Sequence, residues 1–201
     1  MADPLIHRSN ALSEWEVPYG LDRGAVSASS EAFMSALPGT GKVIFRCRRS
    51  AISAAEAALG IALPRQACRF VTFGQTTAYW LGPDEWMLQL SEEDPARIIE
   101  RAQKALAGQP CSIVDVSHRS EVFAISGPRS EYVLNHACPL DLSEAAFPVS
   151  ACTRTILGKA SVLLSRTTAE TFHVDIWRSF APYAWQLLDE VRTEFSAAQA
   201  Q

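Results

Sequence analysis

From Gly39 onward one order of elements occurs twice: strand, helix, strand, strand, helix. Such a chain must build two sheets, each with a helical face to cover, so the pattern limits the fold more than any single motif does. The first copy begins with a turn at Gly39-Thr-Gly41 and an alternating strand over 42–48. Ser50 reads as the N-cap of a helix carrying Ile52, Ala55, Glu56 and Leu59 at helical spacing, and Gly60 as its C′ residue. Strands are predicted over 65–72, 76–81 and 86–90. Asp94-Pro95 then opens a helix whose buried stripe is Ile98, Ile99, Ala102, Ala105 and Leu106, closed by Gly108.

The second copy starts at Ser112. Its strands are predicted over 112–116, 121–126, 152–157, 159–166 and 171–177. Gly127-Pro128 reads as the entry to a helix over 128–136, with Val133, Leu134 and Ala137 inward. Ser179 reads as the cap of a last helix with Phe180, Ala184, Leu187, Leu188, Val191 and Phe195 on its apolar face. The second copy is longer in the middle, around 143–151. The fold class is α+β: duplicated ferredoxin-like halves with antiparallel sheets, over 39–111 and 112–201, within one compact domain.

Residues 1–38 differ in kind. Pro4, Pro18, Gly20, Gly24 and Pro38 interrupt any period, yet Leu5, Ile6, Leu12, Trp15, Val17, Tyr19 and Leu21 are apolar. An irregular arm that lies on a surface is the reading, with some helix near 29–37. That surface is either its own domain or a partner chain, for which Trp15, Tyr19 and Leu21 are the interface candidates.

Composition narrows the function classes. Hydrophobic residues are 48% and charged residues 20%, a globular balance, and the net charge of −4 argues against a phosphate-tracking surface. No apolar run approaches the ~20 residues of a bilayer span, and the first residues show no signal-peptide pattern. Five cysteines at irregular spacing (Cys47, Cys68, Cys111, Cys138, Cys152) read as reduced thiols in the cytoplasm rather than a disulfide framework.

Several constellations invite chemistry. Pro38-Gly-Thr-Gly-Lys42 lacks the spacing of a phosphate loop and feeds a strand instead of a helix, so it reads as a loop entry. Asp115, Ser117 and His118 are the residue types of a nucleophilic triad, but without a nucleophile elbow they read as a hydrogen-bonded turn. His136 and Cys138 offer two metal-capable atoms; Cys152, His173 and Asp175 complete a zinc set only if the fold gathers them. Arg46, Arg48, Arg49, Arg65 and Arg69 form a basic cluster, either a solvated face, a contact for an acidic partner, or a site for a polyglutamate-tailed folate. Trp15, Trp80, Trp86, Trp177, Trp185, Tyr79 and Tyr183 either stack a pterin or flavin or, by strand alternation, form core. No catalytic, cofactor-binding or metal-binding residue is assigned from these patterns.

Taken together, certain segments resemble the gamma subunit family of heterotetrameric sarcosine oxidase. They are Arg8-Ser9, Val114-Asp-Val-Ser-His-Arg119, Ser126-Gly-Pro-Arg129, Cys138-Pro-Leu-Asp-Leu142, Phe147-Pro148, Cys152-Thr-Arg-Thr155, Phe172-His-Val-Asp175 and Arg178-Ser-Phe180. Behind that family stands the folate-binding fold of the glycine-cleavage aminomethyltransferase. The resemblance implies a cytoplasmic complex with alpha, beta and delta subunits that oxidatively demethylates sarcosine to glycine. Oxygen becomes hydrogen peroxide, and with tetrahydrofolate the one-carbon unit leaves as 5,10-methylenetetrahydrofolate. FAD, FMN, NAD and zinc are implied for the other subunits, and this chain is expected to be structural, non-catalytic alone, with no nucleic-acid or membrane partner. The alternative is a stand-alone folate-binding or one-carbon transfer module.

Overall fold

The computed structural model describes residues 31–91 and 94–197. Trp15, Tyr19 and Leu21 lie outside the described residues, as does the side chain of Phe195. Among the described residues ten strands and four α-helices follow in the order β1 Phe33–Ala36, β2 Gly41–Cys47, α1 Ile52–Leu59, β3 Phe70–Phe73, β4 Thr76–Gly82, β5 Glu85–Leu90, α2 Pro95–Ala105, β6 Cys111–Asp115, β7 Ser120–Ser126, α3 Ser130–Asn135, β8 Cys152–Leu157, β9 Ala160–Thr168, β10 Thr171–Trp177 and α4 Ala181–Ala197. They form two five-stranded antiparallel sheets, ordered β3-β4-β5-β2-β6 and β1-β7-β10-β9-β8.

Period-2 alternation sorts each strand's side chains between two faces. In the first sheet Val43, Phe45, Trp86, Leu88 and Leu90 meet Ala55 and Leu59 of α1 and Ile98 and Ala102 of α2. In the second, Phe123, Ile125, Leu164, Phe172 and Val174 meet Val133 and Leu134 of α3 and Ala184 and Leu188 of α4. The opposite faces meet each other through Tyr79, Met87, Cys152 and Leu163. The layer order is therefore helices, sheet, sheet, helices.

The fifth strand of each sheet comes from a crossed connection. β1 precedes β2 in the chain but pairs with β7, while β6 precedes β7 but pairs with β2. Each repeat thus lends its leading strand to the other's sheet, and a cut between 111 and 112 runs through β6. The 29–37 segment holds the strand β1 where some helix was expected. Ladder bonds to the buried β7 outweigh the local propensity of a four-residue stretch.

Helix entries differ from the sequence reading at three points. Arg49–Ala51 and Arg178–Phe180 are single 3-10 turns that lead into α1 and α4, so Ser50 and Ser179 sit inside turns instead of capping. Pro128 lies before α3, whose first residue is Ser130. Asp94 does cap α2, its carboxylate accepting from Ala96 N at 2.9 Å, with Pro95 in the first turn. Gly60 ends α1 with φ 72°. On α2, Ala105 is exposed and Leu106 carries the stripe onward.

The longer middle of the second repeat is held by Arg166, only 4% exposed. Its guanidinium donates to the carbonyls of Leu142 at 2.9 Å and Phe147 at 3.0 Å, and through Nε to Ala169 at 3.2 Å, and it stacks over the Phe172 ring. One planar fork thereby satisfies carbonyls that an irregular segment would otherwise bury unpaired.

Candidate functional site

The two sheets are pinned together by the charge of Lys42, which the sequence reading took only as the end of a loop entry. Lys42, on the inner face of β2, is 2% exposed. Its ammonium lies 2.6 Å from Asp175 Oδ2 on β10 and donates to the Ser120 carbonyl at 3.1 Å and the Ser120 hydroxyl at 2.9 Å on β7. Asp175 is compensated chiefly by the charge itself, since the directed hydrogen bonds of the ammonium go to Ser120. The sequence carried little signal: Lys42 shares its strand face with Ile44 and Arg46, opposite the apolar Val43, Phe45 and Cys47, and nothing in one sequence says that a carboxylate waits across from it.

The Asp115-Ser117 turn buttresses this pair. The Asp115 carboxylate accepts from the amide and hydroxyl of Ser117, and the Ser117 hydroxyl accepts the Lys42 amide at 2.9 Å. The hydrogen-bonded turn read from the sequence is present, and its job is to join the end of β6 to the start of β2. His118 is exposed beside it.

A cleft opens between the sheets on each side of the pair. One, of about 360 Å³, has a floor of Leu81, Met87 and Leu163 and a rim of Arg119, Arg154 and Trp177. Trp177 is 55% exposed there, and Arg154 pairs with Glu85 at 2.6 Å. The other, of about 530 Å³, is lined by Thr40, Phe70, Tyr79, Gln89 and His173. Burial, followed by the charge of Asp175, holds the Tyr79 hydroxyl above its ordinary value, and it donates to Gln89 at 3.1 Å. Burial also lowers the pKa of His173.

The metal-capable residues are divided by a sheet. Cys138 lies in the core beneath α3 and α4, whereas Cys152, His173 and Asp175 project to the inter-sheet face. His136 is exposed and bonds the Tyr132 carbonyl through Nδ1 at 3.1 Å. Among the described residues no three His, Cys, Asp or Glu side chains could hold a metal ion, so this donor set does not fit zinc. The aromatic residues divide as well: Trp86 and Tyr79 are core, with Trp86 Nε1 donating to the Pro64 carbonyl at 2.8 Å, and Trp177 is surface. In the basic cluster, Arg46 pairs with Asp84 at 3.0 Å and Arg65 with Glu56 at 3.2 Å on the exposed surface.

Among the described residues, no helix is long and apolar enough to cross a membrane. The chain is 34% identical to sarcosine oxidase subunit gamma of Corynebacterium sp. (strain U-96) over 148 residues, covering 73% of this chain and 71% of that one. It is 28% identical to the subunit of the same name from Arthrobacter sp. over 195 residues, 96% of this chain and 91% of that one. In structure it resembles a chain of the heterotetrameric sarcosine oxidase of Corynebacterium sp. U-96 with a TM-score of 0.77, 29% identity, and coverage of 85% and 88%. It shares the fold of the glycine cleavage system aminomethyltransferase T of Bartonella henselae at a TM-score of 0.59 and 13% identity, over 79% of this chain and 45% of that one. The model of the sarcosine oxidase, gamma subunit family matches residues 47–194, and the chain belongs to that family.

Proposed function

We propose that this chain is the gamma subunit of a heterotetrameric sarcosine oxidase, with alpha, beta and delta subunits as its partners. The observation that carries the reading is the family match over 47–194, supported by a shared fold across 85% of the chain. The complex demethylates sarcosine oxidatively to glycine and produces hydrogen peroxide. With tetrahydrofolate present it yields 5,10-methylenetetrahydrofolate. It works in the cytoplasm, and FAD, FMN, NAD and zinc reside in the other subunits.

Within that complex the role of this chain is structural. Its central polar group is a buried lysine whose hydrogen bonds go to Ser120 and whose charge faces Asp175, an arrangement that joins the two sheets. The two repeats act as one scaffold, and the segment that precedes β1 supplies a partner contact through Trp15, Tyr19 and Leu21.

An affinity pull-down of the chain from its native cells, followed by an absorbance spectrum and a sarcosine-dependent peroxide assay, tests this reading. A yellow complex with larger subunits and sarcosine oxidation is the expected result. A colourless lone chain of 22.0 kDa that binds tetrahydrofolate saturably would overturn it.

A further inference from the structure

Two of the five cysteines face each other across one strand pair. Cys47 on β2 is the direct antiparallel partner of Cys111 on β6. Direct partners carry their side chains on the same face of a sheet. The type of pair follows from the ladder. Cys47 N donates towards β5, to the Asp84 carbonyl at 3.2 Å, while the Lys42 carbonyl accepts from Val116 on the β6 side at 2.8 Å. Lys42, Ile44 and Arg46 therefore turn their backbone groups to β6, and Val43, Phe45 and Cys47 turn theirs to β5. Cys47 and Cys111 are thus a non-hydrogen-bonded pair, the kind with Cα atoms about 4.5 Å apart and side chains drawn together. That spacing falls within the ~4.4–6.8 Å that a disulfide spans.

Their surroundings differ in a useful way. Cys111 is exposed on the edge strand, and Cys47 is buried at 4% exposure. Burial, then the proximity of Cys111, Asp84 and Glu56, pushes the Cys47 thiol up to about 11. Cys47 stays protonated and shielded, so an oxidant meets Cys111 first. Cys68 and Cys152 provide an internal contrast. Their backbones touch, with Cys152 N donating to Cys68 O at 3.0 Å, but their thiols bond to different groups, Thr153 Oγ1 and the Trp80 carbonyl.

We propose that Cys47 and Cys111 form a reversible dithiol that hydrogen peroxide converts into a cross-strand disulfide. The Cys111 thiolate attacks one peroxide oxygen; the O–O bond breaks, leaving Cys111 sulfenic acid and hydroxide, which is protonated to water. The Cys47 sulfur then displaces water from the sulfenic acid as the S–S bond forms and its proton departs with the leaving hydroxyl. The two thiols lose two electrons, and one peroxide becomes two waters. The product ties edge strand β6 to β2, and a thiol reductant reverses it. The inference draws on the proposed oxidase complex only for a source of peroxide. Adding peroxide directly therefore separates its failure from the failure of that reading.

The test exposes the purified complex to hydrogen peroxide and maps thiols and non-reduced peptides by mass spectrometry. The expected result is loss of two of the five free thiols as a linked Cys47–Cys111 pair that reductant releases. In Cys47→Ser, Cys111 stops at a sulfenic acid that a dimedone probe captures; in Cys111→Ser, Cys47 stays reduced. Persistence of both thiols, or over-oxidation of wild-type Cys111 without the linked pair, would overturn the proposal.

Discussion

Cys68 and Ser150 are the two non-glycine residues among those described with left-handed backbone, at φ 58° and 69°, and they hold each other's repeat. The Cys68 carbonyl accepts the amide of Cys152, and the Ser150 carbonyl accepts the amide of Phe70, both at 3.0 Å. Arg69 and Ala151, the residues that follow them, form the bridge joining the two sheets. Equivalent turns before β3 and β8 thus meet around a pseudo-twofold axis. A left-handed conformation outside glycine costs about 1–2 kcal/mol, so both positions are held by the bonds they make.

A β-branched side chain at either position adds strain. Ser150→Val should destabilise by about 1–2 kcal/mol, and Ser150→Gly should be tolerated. At roughly 2–4 °C per kcal/mol for a chain of this size, differential scanning fluorimetry of the complex resolves the two. Equal melting temperatures would mean that the turn relaxes freely.

Breaking the inter-sheet ion pair from one side leaves a buried charge. Lys42→Met should cost about 3–5 kcal/mol, because Asp175 is only 12% exposed and loses its counter-charge. Adding Asp175→Leu should recover most of the loss, since two apolar side chains suit the inner faces beside Met87 and Leu163. Urea unfolding of the four corners of this cycle gives the coupling energy directly.

His173 predicts a pH dependence. Its folded pKa lies below the ordinary value near 6.5, because burial disfavours the imidazolium. The unfolded chain therefore binds the proton more readily. The contribution is fully present above about pH 6.5 and is lost as pH falls through the folded value. His173→Gln should flatten the stability profile between neutral and mildly acidic pH, measured as a difference from the parent. Parallel profiles would refute the assignment.

Gly127 cannot accept a side chain. Its φ is 110°, and a Cβ would lie 2.5 Å from the Glu31 carbonyl oxygen. Gly127→Ala should destabilise by about 1–3 kcal/mol and should loosen β1, the strand that follows Glu31, from β7. Hydrogen exchange at the amides of Ser35 and Leu37, which face β7 (Leu37 N donates to the Val122 carbonyl at 2.9 Å), would report the loosening.

Deleting residues 1–21 removes Trp15, Tyr19 and Leu21 together. If the arm lies on a partner subunit, the truncated chain should co-purify with fewer partner subunits at equal expression. Unchanged stoichiometry on size-exclusion chromatography would dismiss that role.

Most of the architecture was legible in one sequence. Alternation placed β8 and β10 to the residue, and the Asp94-Pro95 pair marked the start of α2, because these signals are local and depend on backbone sterics and parity. The family segments were legible too, such as Val114 to Arg119 and the stretch from Phe172 to Asp175. What the chain alone withheld was everything that depends on which strand lies beside which. No local rule says that β1 crosses to β7 or that β6 returns to β2. Nor does one say that Lys42 meets Asp175 from 133 positions away, or that Cys47 faces Cys111. Local propensity and period set the elements; long-range pairing, chosen by the burial of two sheet faces against each other, decided where the charges and thiols came together.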